Sequence, residues 1–262
     1  MTASAAITAT PHPPAGKMAR AARLLAITGL VLAIVCGIAE LLAGLGYRWG
    51  WWHFRTGLLT MRWAASIDLG AVFITLAATL LAWKFGTRRT LVAAIHGLVL
   101  SLIVCRPPLY LYNQVNSLPR IHDISTDTLT PPQFVALLPL RQGAENSTVY
   151  LAETGVQQKK AYADVAPAML DVPPVQALQR AEKAARAMGW EIVAVNAPES
   201  RIEATDTTLL FGFKDDVVIR VAANGGGSRI DVRSLSRIGR SDFGANAKRI
   251  RLFMRQLAQA GA

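Results

Sequence analysis

Residues 119–262 of this chain contain no cysteine and one histidine, His122. Without cysteine that region can form neither a disulfide nor a thiolate zinc site, and a single imidazole rules out a two-histidine metal site within one chain. Any imidazole chemistry there must use His122. The sequence also lacks a Walker loop and a GxGxxG turn, and "NGGGS" at 224–228 reads as a hairpin turn, so no cofactor and no metal are expected. Charge is scarce: 17% of residues are charged, where soluble domains carry about 25%.

The scarcity is uneven. Residues 1–118 hold ten of the 28 basic residues and only two of the 17 acidic ones, Glu40 and Asp68. Most of the +11 net charge therefore flanks apolar segments, and a nucleic-acid partner is not expected. Three runs stand out: 24–46 (LLAITGLVLAIVCGIAELLAGLG), 66–85 (SIDLGAVFITLAATLLAWKF) and 90–112 (TLVAAIHGLVLSLIVCRPPLYLY). Each is close to the roughly 20 residues that cross about 30 Å of hydrocarbon, and each is expected to be a helix. The first is too long for a signal-peptide core and lacks a small-x-small cleavage site, so it reads as an uncleaved span.

Lys17, Arg20 and Arg23 precede the first span, and Lys84, Arg88 and Arg89 join the second to the third. The opposite side carries Arg48, Arg55, Arg62 and Arg106. This bias predicts a cytoplasmic N-terminus, which puts the C-terminal domain in the periplasm of a bacterial inner membrane. Trp49, Trp51, Trp52 and Trp63 mark the 47–65 loop as an interfacial helix. Glu40, Asp68 and Arg106 fall at similar depth, so an ion pair of Arg106 with either acid is expected to hold the bundle together. The other use of these acids, in transport, would call for acids nearer mid-membrane. Residues 1–20 read as a disordered tail and 21–113 as the three-helix region.

From 119 to 262 the texture is that of a folded domain. A short helix is expected over 130–138 (TPPQFVALL), loops with one strand near "STVYLAE" over 141–170, and a strong helix over "DVPPVQALQRAEKAARAMG". Strands follow in "WEIVAV", "RIEATDTTLLF", "VVIRVAA" and "RIDVRSLS", then a helix in "ANAKRIRLFMRQLAQA". Alternation puts Ile202, Ala204, Val217, Ile219 and Val232 on one face and Arg201, Glu203, Arg220, Asp231 and Arg233 on the other. Lys248, Arg249, Arg251 and Arg255 are expected to lie mostly away from the last helix's apolar stripe. The fold class is α+β: three transmembrane helices, then a two-layer domain with an antiparallel meander and both helices on its apolar face.

The segments "IHDISTDTLTPPQF", "AYADVAPAML", "MGWEIVA", "RIEATDTTLLFGFKDDVVIRV" and "SRIDVRSLSRIGRSDFGANAKRIR" occur in this order, and over residues 119–258 the chain resembles the domain-of-unknown-function family 1499. The family pattern usually has a proline where this chain has Ala163. The resemblance implies a bacterial, membrane-anchored, envelope-associated protein and no assigned activity.

Two stretches could carry function. His122 with Asp123 and Asp127, among Ser125 and Thr126, has the residue types of a base, an orienter and a hydroxyl nucleophile, although hydroxyl and Asx turns explain the same residues. "SRIGRSDFGANAKRI" offers an anion site in which Arg233, Arg237, Arg240, Ser241 and Asn246 gather at a helix N-terminus, unless Asp242 caps that helix and the arginines pair with Asp206, Asp215 or Asp231. The leading expectation is a non-catalytic module that binds an anionic envelope ligand or another envelope protein. The alternative is a membrane-tethered hydrolase using His122 with nearby aspartates.

Overall fold

The computed structural model describes residues 15–260. The chain divides into two compact units, with the boundary between Tyr110 and Leu111. The first holds three long helices: α1 (Ala15–Arg48), α2 (Phe54–Phe85) and α3 (Arg88–Ser117), whose last residues belong to the second unit. All three are long and apolar enough to cross a membrane. Of the expected N-terminal tail, residues 15–20 form the first turns of α1 and the rest lies outside the described residues.

The unit is built inside out compared with a soluble bundle. Leu24, Phe73, Leu80, Trp83 and Ile103 face outward, while the helices meet through small residues: Ala26, Ala78 and Ala94 in one cluster, Cys36, Ala64 and Val104 in another. Where lipid replaces water, packing rather than hydrophobic exclusion holds helices together, and small residues let backbones approach. A Cβ added to Gly97 would sit 2.9 Å from Thr75 Cγ2 and 3.3 Å from the Leu30 Cα, so this crossing needs glycine.

Two sequence expectations change here. The 47–65 segment is not a separate interfacial helix: only 49–53 break the chain, and Phe54 already starts α2. Trp52 turns inward, its Nε1 donating to the Ala43 carbonyl at 3.2 Å, its ring filling the notch left by Gly46. The second correction concerns Arg106, which is exposed and pairs with neither Glu40 nor Asp68. Successive helical residues point about 100° apart. Cys105 takes the inward direction beside Asp68, so Arg106 cannot.

The second unit is a six-stranded antiparallel sheet in the order β1–β6–β5–β4–β3, with β2 on the same side of β6 as β1. The meander comprises β3 (Glu191–Asn196), β4 (Arg201–Thr207), β5 (Lys214–Asn224) and β6 (Gly227–Ser236). Two three-residue strands went unread in the sequence. β1 (Asp123–Ser125) pairs Asp123 with Leu235, and β2 (Ala168–Leu170) pairs Ala168 with Ile230. Gly227 permits that second pairing, since a Cβ there would lie 2.3 Å from the Leu170 carbonyl oxygen.

One sheet face is apolar. Ile202, Ala204, Val217, Ile219, Ile230 and Val232 pack under α5 (Pro174–Ala187) and α6 (Ala245–Gln259), with Trp190 stacked on Phe253 at 5.4 Å. A further helix, α4 (Ala152–Ala161), lies where only loops and a strand were expected. Its Gln158 lies against the free edge of β1, accepting from the Ser125 N–H at 2.9 Å and donating to the Ser125 carbonyl at 2.6 Å. One amide thereby satisfies an edge strand's backbone as a neighbouring strand would.

Candidate functional site

The other sheet face was expected to be a solvated ladder of charges, and it is buried instead. Glu203, Asp216 and Arg233 are fully enclosed, and Asp231 nearly so. Residues 126–150 form a largely irregular cover over them. Its apolar contribution is small: Phe134 and Leu137 meet Val218 and Leu235. The rest of the interface is ionic.

Four carboxylates on this face organise the cover. Arg233 on β6 holds Asp123 on β1 through Nε–Oδ1 at 2.9 Å and Nη2–Oδ2 at 2.7 Å. Its remaining N–H groups donate to the Pro132 carbonyl at 3.2 Å and the Thr148 carbonyl at 2.6 Å, and it lies against the rings of Phe134 and Tyr150. Asp216 takes Arg237 at 2.8 and 2.9 Å, the Thr205 hydroxyl at 2.9 Å, and Arg141 from the cover. Arg237 then donates to the Leu140 carbonyl at 2.8 Å, and Arg141 to that of Asn146 at 2.9 Å. Asp231 binds Arg220 and Arg229, each at 2.9 Å.

Glu203 works differently. Its two oxygens accept the backbone N–H groups of Val135, Ala136 and Leu137 at 2.9–3.1 Å and the Arg201 Nε at 2.8 Å. This explains why 130–138 is not the expected helix. The N–H groups of 135–137 turn onto a buried carboxylate, and only Leu138–Arg141 close a 3-10 turn.

His122 and Asp123 do not form a dyad. Asp123 points to the charged face and is fully engaged by Arg233, while the His122 ring approaches the Arg240 carbonyl at 3.4 Å. Asp127 closes a turn instead. It accepts the N–H groups of Leu129 and Thr130 and the Thr130 hydroxyl at 2.7 Å, and meets Arg220 at 3.0 Å. Burial pushes its carboxyl up, but the Thr130 and Leu129 bonds and Arg220 outweigh this and hold it down at about 2. An unfolded aspartate titrates near 3.9. The stabilisation is therefore complete above about pH 4 and is lost as pH falls toward 2. Asp127→Asn is expected to flatten the acid limb of stability in that window, read as urea midpoints of the full chain in detergent at successive pH values.

The anion-site residues are also separated. Arg233 and Arg237 are in the buried pairs above. Asn246 is buried too: its Nδ2 donates to the His122 carbonyl and the Ser236 hydroxyl, and its Oδ1 accepts from the Ser234 hydroxyl at 2.7 Å. The start of α6 is filled by the chain's own Asp242, which accepts from the N–H groups of Gly244 at 2.8 Å and Asn246 at 3.0 Å. Burial, with Asp215 nearby, pushes the Asp242 carboxyl up despite those bonds. Ser241 accepts from the Phe243 N–H, and Arg240 is exposed, making no ion pair among the described residues. Arg249, expected on the outer side of α6, is buried and joins Asp206 at 2.7 Å to Asp215 at 2.5 Å.

Arg141, Glu203 and Arg249 were missed as organising residues. A signal existed, since alternating acids on central strands need partners whenever both sheet faces are covered. A cleft of about 390 Å³ lies elsewhere, between Asp164–Ala168 and α6, with the Asp164–Arg251 pair in its wall and none of the expected site residues.

A family model described as "Protein of unknown function (DUF1499)" matches residues 123–257, just over half of the chain. No curated protein matches it.

Proposed function

The chain belongs to this family of unknown function, and from that premise we propose that it is a membrane-anchored, non-catalytic module that docks a protein partner on the outer surface of its cover. The observation that carries this reading is the outward face of residues 126–151. While the inner side is fixed by buried charges, Val135, Leu138, Leu140, Val149 and Leu151 are exposed, Val149 to 67%. Val135 is anchored over β4 through Glu203, Leu140 over the end of β6 through Arg237, and Val149 follows a residue held by Arg233 on β6. Glu203 and Arg233 lie opposite each other across β5, two strand spacings of about 4.8 Å apart, which groups these side chains on one side of the cover rather than scattering them. The buried ion pairs support the non-catalytic part, since no carboxylate of the charged face is left to exchange a proton with a substrate.

A photo-crosslinking residue at Leu140 of the full chain, in membranes of its host, is expected to give a discrete protein adduct. Leu138→Asp should abolish it, and the same probe at exposed Lys183 on α5 should not produce it. Lipid adducts alone, or equal adducts from both positions, would sink the docking reading. The family resemblance and the distribution of Lys17, Arg20, Arg23, Lys84, Arg88 and Arg89 support a bacterial inner membrane, a cytoplasmic N-terminus and a periplasmic domain. A reporter active only in the periplasm, fused after Ala262, is expected to be active; a silent fusion reverses the orientation.

A further inference from the structure

Inside the helical unit, Asp68 on α2 is wholly buried and Glu40 on α1 nearly so, at 8% exposure. They lie within electrostatic reach of each other, and no basic side chain among the described residues is paired with either. The other titratable groups facing them are thiols, Cys36 from α1 and Cys105 from α3. The Cys105 thiol donates to Asp68 Oδ2 at 3.1 Å, so it is protonated and neutralises nothing. Asp68 Oδ1 and Glu40 Oε1 have no partner.

A second observation comes from Ser101, one turn before Cys105 on α3. Hydroxyls within membrane helices ordinarily bond back to the carbonyl four residues earlier. Ser66 does so to Arg62, Thr75 to Ala71 and Thr79 to Thr75. Ser101 does not, although it is wholly buried; its hydroxyl turns to Asp68 instead, and it makes no well-formed hydrogen bond to any other group. A buried carboxylate and a buried hydroxyl thus face one another from two helices, with a second carboxylate on the third. Hydrocarbon disfavours such charge unless a cation accompanies it.

We propose that Asp68, with Ser101, Cys105 and Glu40 around it, binds one small cation within the bundle, H+ or Na+. Hard oxygen donors suit both. Among the described residues, no group of three or more His, Cys, Asp or Glu side chains is placed to hold a metal ion, so a Na+ would be coordinated by Asp68 and Ser101, with Glu40 acting through its charge and Cys105 through its hydrogen bond to Asp68.

The test is infrared spectroscopy of the full chain in phosphatidylcholine vesicles, between about pH 5 and about pH 9, in Na+ or in a bulky organic cation. A proton site gives a carboxylic-acid carbonyl band at neutral pH. That band is absent from Asp68→Asn and shifted in Cys105→Ala, which removes the thiol donor. A sodium site gives the same band only after Na+ is replaced. Either result supports the proposal, and the cation swap tells them apart. An Asp68 carboxylate band indifferent to both pH and Na+ overturns it. Should Asp68→Asn fail to fold, wild type, Glu40→Gln and Cys105→Ala still decide: an acid band that neither variant alters would not belong to this site.

Discussion

Arg233→Met is expected to destabilise the C-terminal domain by about 3–5 kcal/mol, the range for removing one member of a buried pair. The substitution preserves most of the side-chain volume, so the effect is electrostatic. It leaves Asp123, 5% exposed, without its bidentate partner. The variant also strips the Pro132 and Thr148 carbonyls of their donor. Against a total stability of about 5–15 kcal/mol, the loss is a large fraction. Hydrogen exchange of β6 amides in the full chain reads it, because β6 is central and opens only with the sheet. The double variant Arg233→Met with Asp123→Leu is expected to recover much of the loss, since removing both charges removes the desolvation problem. Recovery should stop short of wild type by the two orphaned carbonyls. A double variant no better than the single one would place the effect in the cover rather than in the uncompensated carboxylate.

That prediction could not have been written from the sequence, although every residue in it is visible there. Period-2 alternation in β4, β5 and β6 identifies which side chains share a face, and the stripe of Ala181, Ala185, Ile250 and Phe253 identifies the helices that cover one of them. Both readings rest on local repetition. The cover has none. Residues 126–150 follow no helical or strand period because their backbone is shaped by side chains 66–101 positions away, including Glu203, Arg233 and Arg237. A solvated charged face was the natural inference when no second layer could be seen. The same cause misplaced the candidate sites: His122–Asp123 and Arg237–Arg240 are neighbours in sequence, and their partners come from other strands. In the membrane unit, hydropathy located the helices but could not choose which of two adjacent residues faces inward, and Cys105 rather than Arg106 meets Asp68.

Glu203→Gln tests whether the cover is a separable layer. The native carboxylate accepts from three successive backbone N–H groups and from Arg201, which needs acceptors at both oxygens. Glutamine has the same shape but offers one oxygen. Its NH2 group must face either Ala136 and Arg201 or Val135 and Leu137, donor against donor. Each buried N–H so orphaned costs about 1–3 kcal/mol. The amides of Val135, Ala136 and Leu137 are therefore expected to exchange roughly 10- to 100-fold faster, since each 1.4 kcal/mol is a factor of ten. The apolar face, α5 and α6 are untouched, so amides of β5 should keep their protection if the cover opens as its own unit. Equal acceleration in β5 would show cover and sheet opening together. In the first case the Val135–Leu138 part of the exposed apolar surface is positioned by one buried carboxylate, and Glu203→Gln should weaken the Leu140 crosslink without altering any residue on that surface.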